Sequence, residues 1–114
     1  MPFINVKTNA KLSAEKKEII KRRLFDVIGI IPGKSDRYLM VAIDDGADMA
    51  FHRDSESNMA MVEVKIFGSS SKDAYQRLTT AICLILQDEA DVEGQNCYVK
   101  FEEVKYWGYN GFMF

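Results

Sequence analysis

The dipeptide Val6-Lys7 returns 58 positions later as Val64-Lys65, and the pattern around it returns as well. Residues 2–8 alternate like a strand, with Ile4, Val6 and Thr8 on one side and Phe3, Asn5 and Lys7 on the other. Ser13 then reads as a helix N-cap, and Glu15 in the first turn complements the helix dipole. Ile20, Leu24, Val27, Ile28 and Ile31 follow at helical spacing until Pro32-Gly33 stops the run. A second strand is predicted over Tyr38–Ile43. The later half repeats the plan: a strand over Met59–Phe67, an N-cap at Ser71 with Asp73 behind it, then a stripe of Leu78, Ala81, Ile82 and Ile85. Cys97–Val104 is predicted as a further strand. Ser13 thus corresponds to Ser71, Ile20 to Leu78, Leu24 to Ile82 and Val27 to Ile85. The strands after the helices match with a slip of two, Tyr38 against Tyr98. Between the halves, Asp44–Asn58 is polar and loop-like, apart from Met49-Ala50-Phe51, which has the pattern of a very short strand. A Gly-rich tail, WGYNGFMF, closes the chain.

A strand–helix–strand unit present twice in 114 residues leaves room for one domain over 1–114, with pseudo-repeats at about 2–57 and 58–114. The expected class is α+β, with a four-stranded sheet and both helices on one face. The stretch Met59–Phe67 is apolar at nearly every position, a pattern that calls for cover on both faces. Two helices cover one face. The other is expected to be buried against further copies of the chain.

Charge narrows the partners. With 15 basic and 17 acidic residues and a net charge of −2, no single-sign field is available, so neither nucleic acid nor an anionic membrane is expected as a partner. No apolar run approaches the ~18 residues of a membrane span. The amino end lacks a signal-peptide pattern. Cys83 and Cys97 form neither a zinc constellation nor a disulfide framework. They read as buried free thiols in a reducing, cytoplasmic setting, with no metal and no cofactor expected. His52, the single histidine, falls in a polar loop and reads as a surface residue. The run Glu15–Arg23 reads as a solvated helix face with i,i+4 pairing.

Pro2 is the odd residue at the head of an apolar strand, because it has no backbone N–H to give the ladder. The residue behind the initiator is small, so Met1 is expected to be removed, leaving proline as an amino terminus. An α-amino group titrates near ~7.7–8.0, and an apolar pocket or a neighbouring cation lowers it further. Such an amine is neutral in useful proportion at physiological pH. It can take a proton from carbon or attack a carbonyl.

The segments PFINVKTN, PGKSDRYLMV and YWGYNGFMF resemble the macrophage migration inhibitory factor family, a branch of the tautomerase superfamily. The resemblance covers essentially the whole chain. It implies a homotrimer with an active site at each subunit boundary, and cofactor-independent keto–enol tautomerisation of phenylpyruvate- or dopachrome-like substrates, small aromatic 2-keto acids among them. It implies Pro2 as the catalytic base and Lys34 as the anchor for a substrate carboxylate. Ile66 matches a position whose backbone lines the pocket. Tyr38, Tyr109 and Phe114 match aromatic positions that frame it, and Tyr98 matches a residue supplied by the neighbouring subunit. The alternative function on the same scaffold is a receptor-binding or signalling protein with vestigial catalysis, acting outside the cell without a signal peptide through a cell-surface receptor. A third is hydration or dehalogenation of a small acid, for which no extra carboxylate or arginine is convincingly placed, Arg37 staying open.

The departures from the family pattern carry information. Lys100 stands where the animal cytokines have an asparagine supplied by the neighbouring subunit, a second cation for the pocket mouth. Trp107 replaces a smaller aliphatic residue and bears on the width of the site. Asn58 and Met61 replace a Cys-x-x-Cys pair, which removes the chemical basis for a thiol–disulfide activity there. His52-Arg53 replaces a Gly-Gly.

Overall fold

The computed structural model describes all residues, Met1–Phe114. Its elements run β1 (Pro2–Thr8), α1 (Ala14–Val27), β2 (Met40–Asp44), β3 (Ala60–Phe67), α2 (Lys72–Ala90), β4 (Cys97–Val104) and a terminal hairpin of β5 (Gly108–Tyr109) and β6 (Phe112–Met113). The sheet order is β2-β1-β3-β4. β1 pairs β2 in parallel and β3 pairs β4 in parallel, each across its own helix, while β1 and β3 meet antiparallel at the centre. The expected α+β class and the paired strand–helix–strand plan are present.

The two units are equivalent down to their caps. The Ser13 hydroxyl accepts the Lys16 N–H and the Ser71 hydroxyl accepts the Ala74 N–H, so each satisfies a donor that the first helical turn leaves unpaired. Ile20, Leu24 and Ile28 bury one stripe, and Leu78, Ile82 and Leu86 bury its equivalent. The slip of two between the later strands is corrected. Phe3 pairs Met40 as Met61 pairs Tyr98, so Met40, not Tyr38, is the counterpart of Tyr98. Tyr38 lies instead in a one-turn 3-10 helix, Asp36–Tyr38, closed by the Leu39 N–H on the Asp36 carbonyl. A short apolar run cannot say by itself where its strand begins. The first helix likewise ends at Val27 and tightens into a 3-10 turn over Ile28–Ile30, while Ile31 still reaches the core.

The sheet is two-sided. Ile4, Val6, Val62, Val64 and Ile66 are fully buried under the helices. The opposite side of β3 carries Met61, Glu63, Lys65 and Phe67, each half-buried. β3 therefore alternates, and the expectation of a strand apolar on both faces does not hold. The open face is mixed, built from rows such as Asn5–Glu63–Lys100 and Phe3–Lys65–Glu102. Thr8 is the one buried polar residue. Its hydroxyl donates to the Met59 carbonyl at 2.7 Å and accepts the Ala10 N–H at 3.2 Å.

The predicted short strand at Met49–Phe51 reduces to a single bridge between Phe51 and Asp54. Between them His52 and Arg53 both hold left-handed φ, 56° and 60°, the geometry of a tight mirror-image turn that glycine would adopt without strain. His52 is exposed, its Nε2 lying 3.3 Å from the Gln95 carbonyl. Cys83 and Cys97 are free but half-buried rather than buried. No helix is long and apolar enough to cross a membrane.

Candidate active site

The largest cleft, about 620 Å³, opens where the amino end of β1 meets the tail. Its floor is one row of the open sheet face: Met40, Phe3 and Lys65, adjacent across β2, β1 and β3. Pro2 and Met1 form its inner end. One wall is the Asp36–Tyr38 turn, where the Tyr38 ring meets Tyr109 edge-on, centroids 5.9 Å apart and planes at 83°. The Arg37 guanidinium lies 5.5 Å from the Tyr38 centroid. Trp107 completes the lining, half-buried, just before the terminal hairpin. That hairpin turns at Asn110 and Gly111, both with positive φ, and this brings Tyr109 back over the cleft.

The end of the chain is held in place. The Phe67 N–H donates to the Met1 carbonyl at 3.1 Å, and Lys34 Nζ donates to the Phe67 carbonyl at 2.8 Å. Burial, followed by the nearby Lys34 charge and its hydrogen bond, holds the amine at residue 1 below its ordinary value. An amine there is biased toward its neutral, proton-accepting form.

Of the residues singled out in the sequence, Pro2, Tyr38, Trp107 and Tyr109 line this cleft. Lys34 stands beside it, against the amino end. Ile66 is the register partner of Pro2 and its side chain is wholly in the core. Phe114 sits behind, 6.0 Å from the Phe67 ring, with its N–H on the Trp107 carbonyl at 2.9 Å. Tyr98 and Lys100 are elsewhere. Tyr98 pairs with Met61, four residues and about 13 Å along β3 from Lys65, and it packs on Phe51 at 4.7 Å. Lys100 is engaged by Glu63 at 3.2 Å and Glu102 at 2.9 Å. One chain alone does not bring either residue to Pro2. Phe3, Leu39, Met40 and Lys65 are cleft residues that the sequence did not single out. The usable signal was alternation in β3, which sets Lys65 on the face opposite Val64 and Ile66. No group of three or more His, Cys, Asp or Glu side chains is placed to hold a metal ion.

The family model described as Macrophage migration inhibitory factor (MIF) matches residues 1–114. The chain belongs to the macrophage migration inhibitory factor family. Its fold is close to that of MIF2 from Leishmania major, with a TM-score of 0.93 at 22% identity, covering 100% of this chain and 97% of that one. The homologue from Prochlorococcus marinus gives 0.88 at 24% identity, covering 98% of each chain. The protein Pt0534, in a structure inactivated by 2-oxo-3-pentynoate, gives 0.84 at 15% identity, covering 96% of this chain and 93% of that one. No curated protein matches the chain by sequence.

Proposed function

We propose that this family member is a cofactor-independent keto–enol tautomerase for arylpyruvates such as phenylpyruvate, or for dopachrome-like compounds, with Pro2 as the base once Met1 is removed. The observation that carries the reading is that Pro2 lines a partly aromatic cleft, with Lys34 close to the preceding residue, Met1. The free imino nitrogen takes the proton of the enol hydroxyl, and the resulting ammonium returns a proton to the substrate carbon, so the amine ends as it began. The Lys34 ammonium holds the substrate carboxylate and keeps the amine neutral. Tyr38, Tyr109 and Trp107 receive the aryl ring. That Pt0534 is inactivated by a 2-oxo acid fits the same substrate class.

The working unit is a homotrimer in this reading. The open sheet face beyond the cleft row of Met40, Phe3 and Lys65, together with an exposed tail (Phe112 is 73% and Met113 67% accessible), supplies the contact surface. Tyr98 then reaches the cleft of a neighbouring copy.

The deciding experiment compares enol-to-keto conversion of phenylpyruvate by the wild type and by Pro2→Gly. The variant is expected to lose at least about 100-fold in kcat/KM. Equal rates, or full turnover by protein whose mass still includes Met1, overturn the assignment. Receptor binding that persists without Pro2 chemistry, in a protein that never turns over the enol, supports the signalling alternative.

A further inference from the structure

The cleft carries two cations that this mechanism leaves unused, Arg37 from the 3-10 turn and Lys65 from β3, and no carboxylate lines it. Seven of the 15 basic side chains have carboxylate partners, and Arg37 and Lys65 are among those that do not.

The reason Lys65 is unpaired can be traced. Two carboxylates share its side of the sheet, Glu102 directly across on β4 and Glu63 two residues back on β3. Lys100 holds both, Glu102 at 2.9 Å and Glu63 at 3.2 Å, and neither lines the cleft. Lys65 is left half-buried beside Phe3 with no carboxylate in ion-pair contact, and acts on Glu63 only through space. A partly desolvated ammonium without a counter-charge is unfavourable, and a ligand anion relieves it. On the opposite wall Arg37 stacks near Tyr38, and its neighbour Asp36 forms no ion pair with it. The two cations therefore line the same cleft as Tyr38, Tyr109 and Trp107, the side chains that receive the aryl ring, whereas Lys34 stands outside that lining.

We propose that the preferred substrate is a 2-oxo acid with a second carboxylate at its far end, bound there by Lys65 and Arg37. This rests on the tautomerase reading for the placement of the first carboxylate at Lys34.

Trp107 is the only tryptophan and lines the cleft, so its fluorescence reports binding without turnover. The probes are cinnamate and 4-carboxycinnamate, which share a ring and one carboxylate and differ in the second. At low salt the wild type is expected to bind 4-carboxycinnamate about tenfold more tightly. In Lys65→Met/Arg37→Met the preference falls below about twofold, Lys65→Arg keeps most of it, and the remote Lys72→Met keeps all of it. Equal binding of both probes by the wild type, or a preference that survives the double substitution, overturns the proposal. Kinetics with phenylpyruvate and 4-carboxyphenylpyruvate separate the two readings. Turnover of phenylpyruvate without any dicarboxylate preference removes this inference and leaves the tautomerase. A preference in binding with no turnover of either acid removes the tautomerase and leaves a dianion site.

Discussion

Lys34 donates its ammonium to the Phe67 carbonyl at 2.8 Å, while the N–H of Phe67 holds the Met1 carbonyl at 3.1 Å. One residue of β3 thus holds both the cation and, while Met1 is present, the start of the chain, and the Lys34 charge, after burial, lowers the Met1 amine. In the proposed mature form the amine of Pro2 lies one residue further along the same strand, within the same surroundings. Lys34→Ala removes a charge that lowers the amine pKa. The amine then stays protonated to higher pH, and the acid limb of the kcat/KM profile for phenylpyruvate moves up. Turnover at neutral pH is expected to fall about tenfold or more. A pH–rate profile with an unmoved acid limb contradicts this role.

Tyr98 lies about 13 Å along the sheet from the Lys65 row, on the wrong part of its own chain to meet Pro2. Subunits carrying Pro2→Gly and subunits carrying Tyr98→Ala are each expected to be inactive alone. Mixed and reassembled, they should regain part of the wild-type rate, because some sites then combine an intact Pro2 with an intact Tyr98. No recovery in reassembled mixtures counts against a shared site.

The Thr8 hydroxyl satisfies both the Met59 carbonyl and the Ala10 N–H in a fully buried position. Thr8→Val keeps the shape and strands both groups. Urea unfolding at fixed protein concentration should show a loss of about 2 kcal/mol, with Thr8→Ser recovering most of it.

Arg53 and His52 sit at φ 60° and 56° between the bridged residues Phe51 and Asp54. A side chain in this region costs about 1–2 kcal/mol, against which glycine brings its extra unfolded-state entropy. Arg53→Gly is therefore expected to stabilise the fold by about 0.5–1 kcal/mol in the same urea assay. A destabilised variant would show that the Arg53 side chain does more than tolerate its turn.

Burial, and then the nearness of Cys83, pushes the Cys97 thiol from 9.0 up to about 12. Folding favours the protonated thiol, so its contribution to stability is complete below pH 9 and is lost as pH rises through the folded value. Thermal stability should decline between pH 9 and 11, and Cys97→Ala should flatten that slope. At pH 8 the native protein should react with a thiol reagent far more slowly than the unfolded chain.

The helices, their serine caps and the paired units were legible because each depends on neighbours within a turn or on alternation within a strand. Ser13 and Ser71 declare themselves by the acidic residue two positions on and the apolar stripe behind it, and Ile4, Val6, Val62 and Val64 by spacing alone. The proposal for Pro2 likewise starts from the sequence alone, from a secondary amine placed directly behind Met1.

Other features depended on pairing between distant segments. Strand register replaces the match of Tyr38 with Tyr98 by one of Met40 with Tyr98, and moves Tyr38 into the wall of the cleft. It also decides the roles of two lysines. Lys100, expected at the pocket mouth of a neighbouring copy, is engaged within its own chain by Glu63 and Glu102, whereas Lys65, with nothing in its local sequence to mark it, lies in the cleft without an ion-pair partner. A charged side chain acts on whatever lies within a few ångströms of it, and for these two that was set by which strands lie side by side.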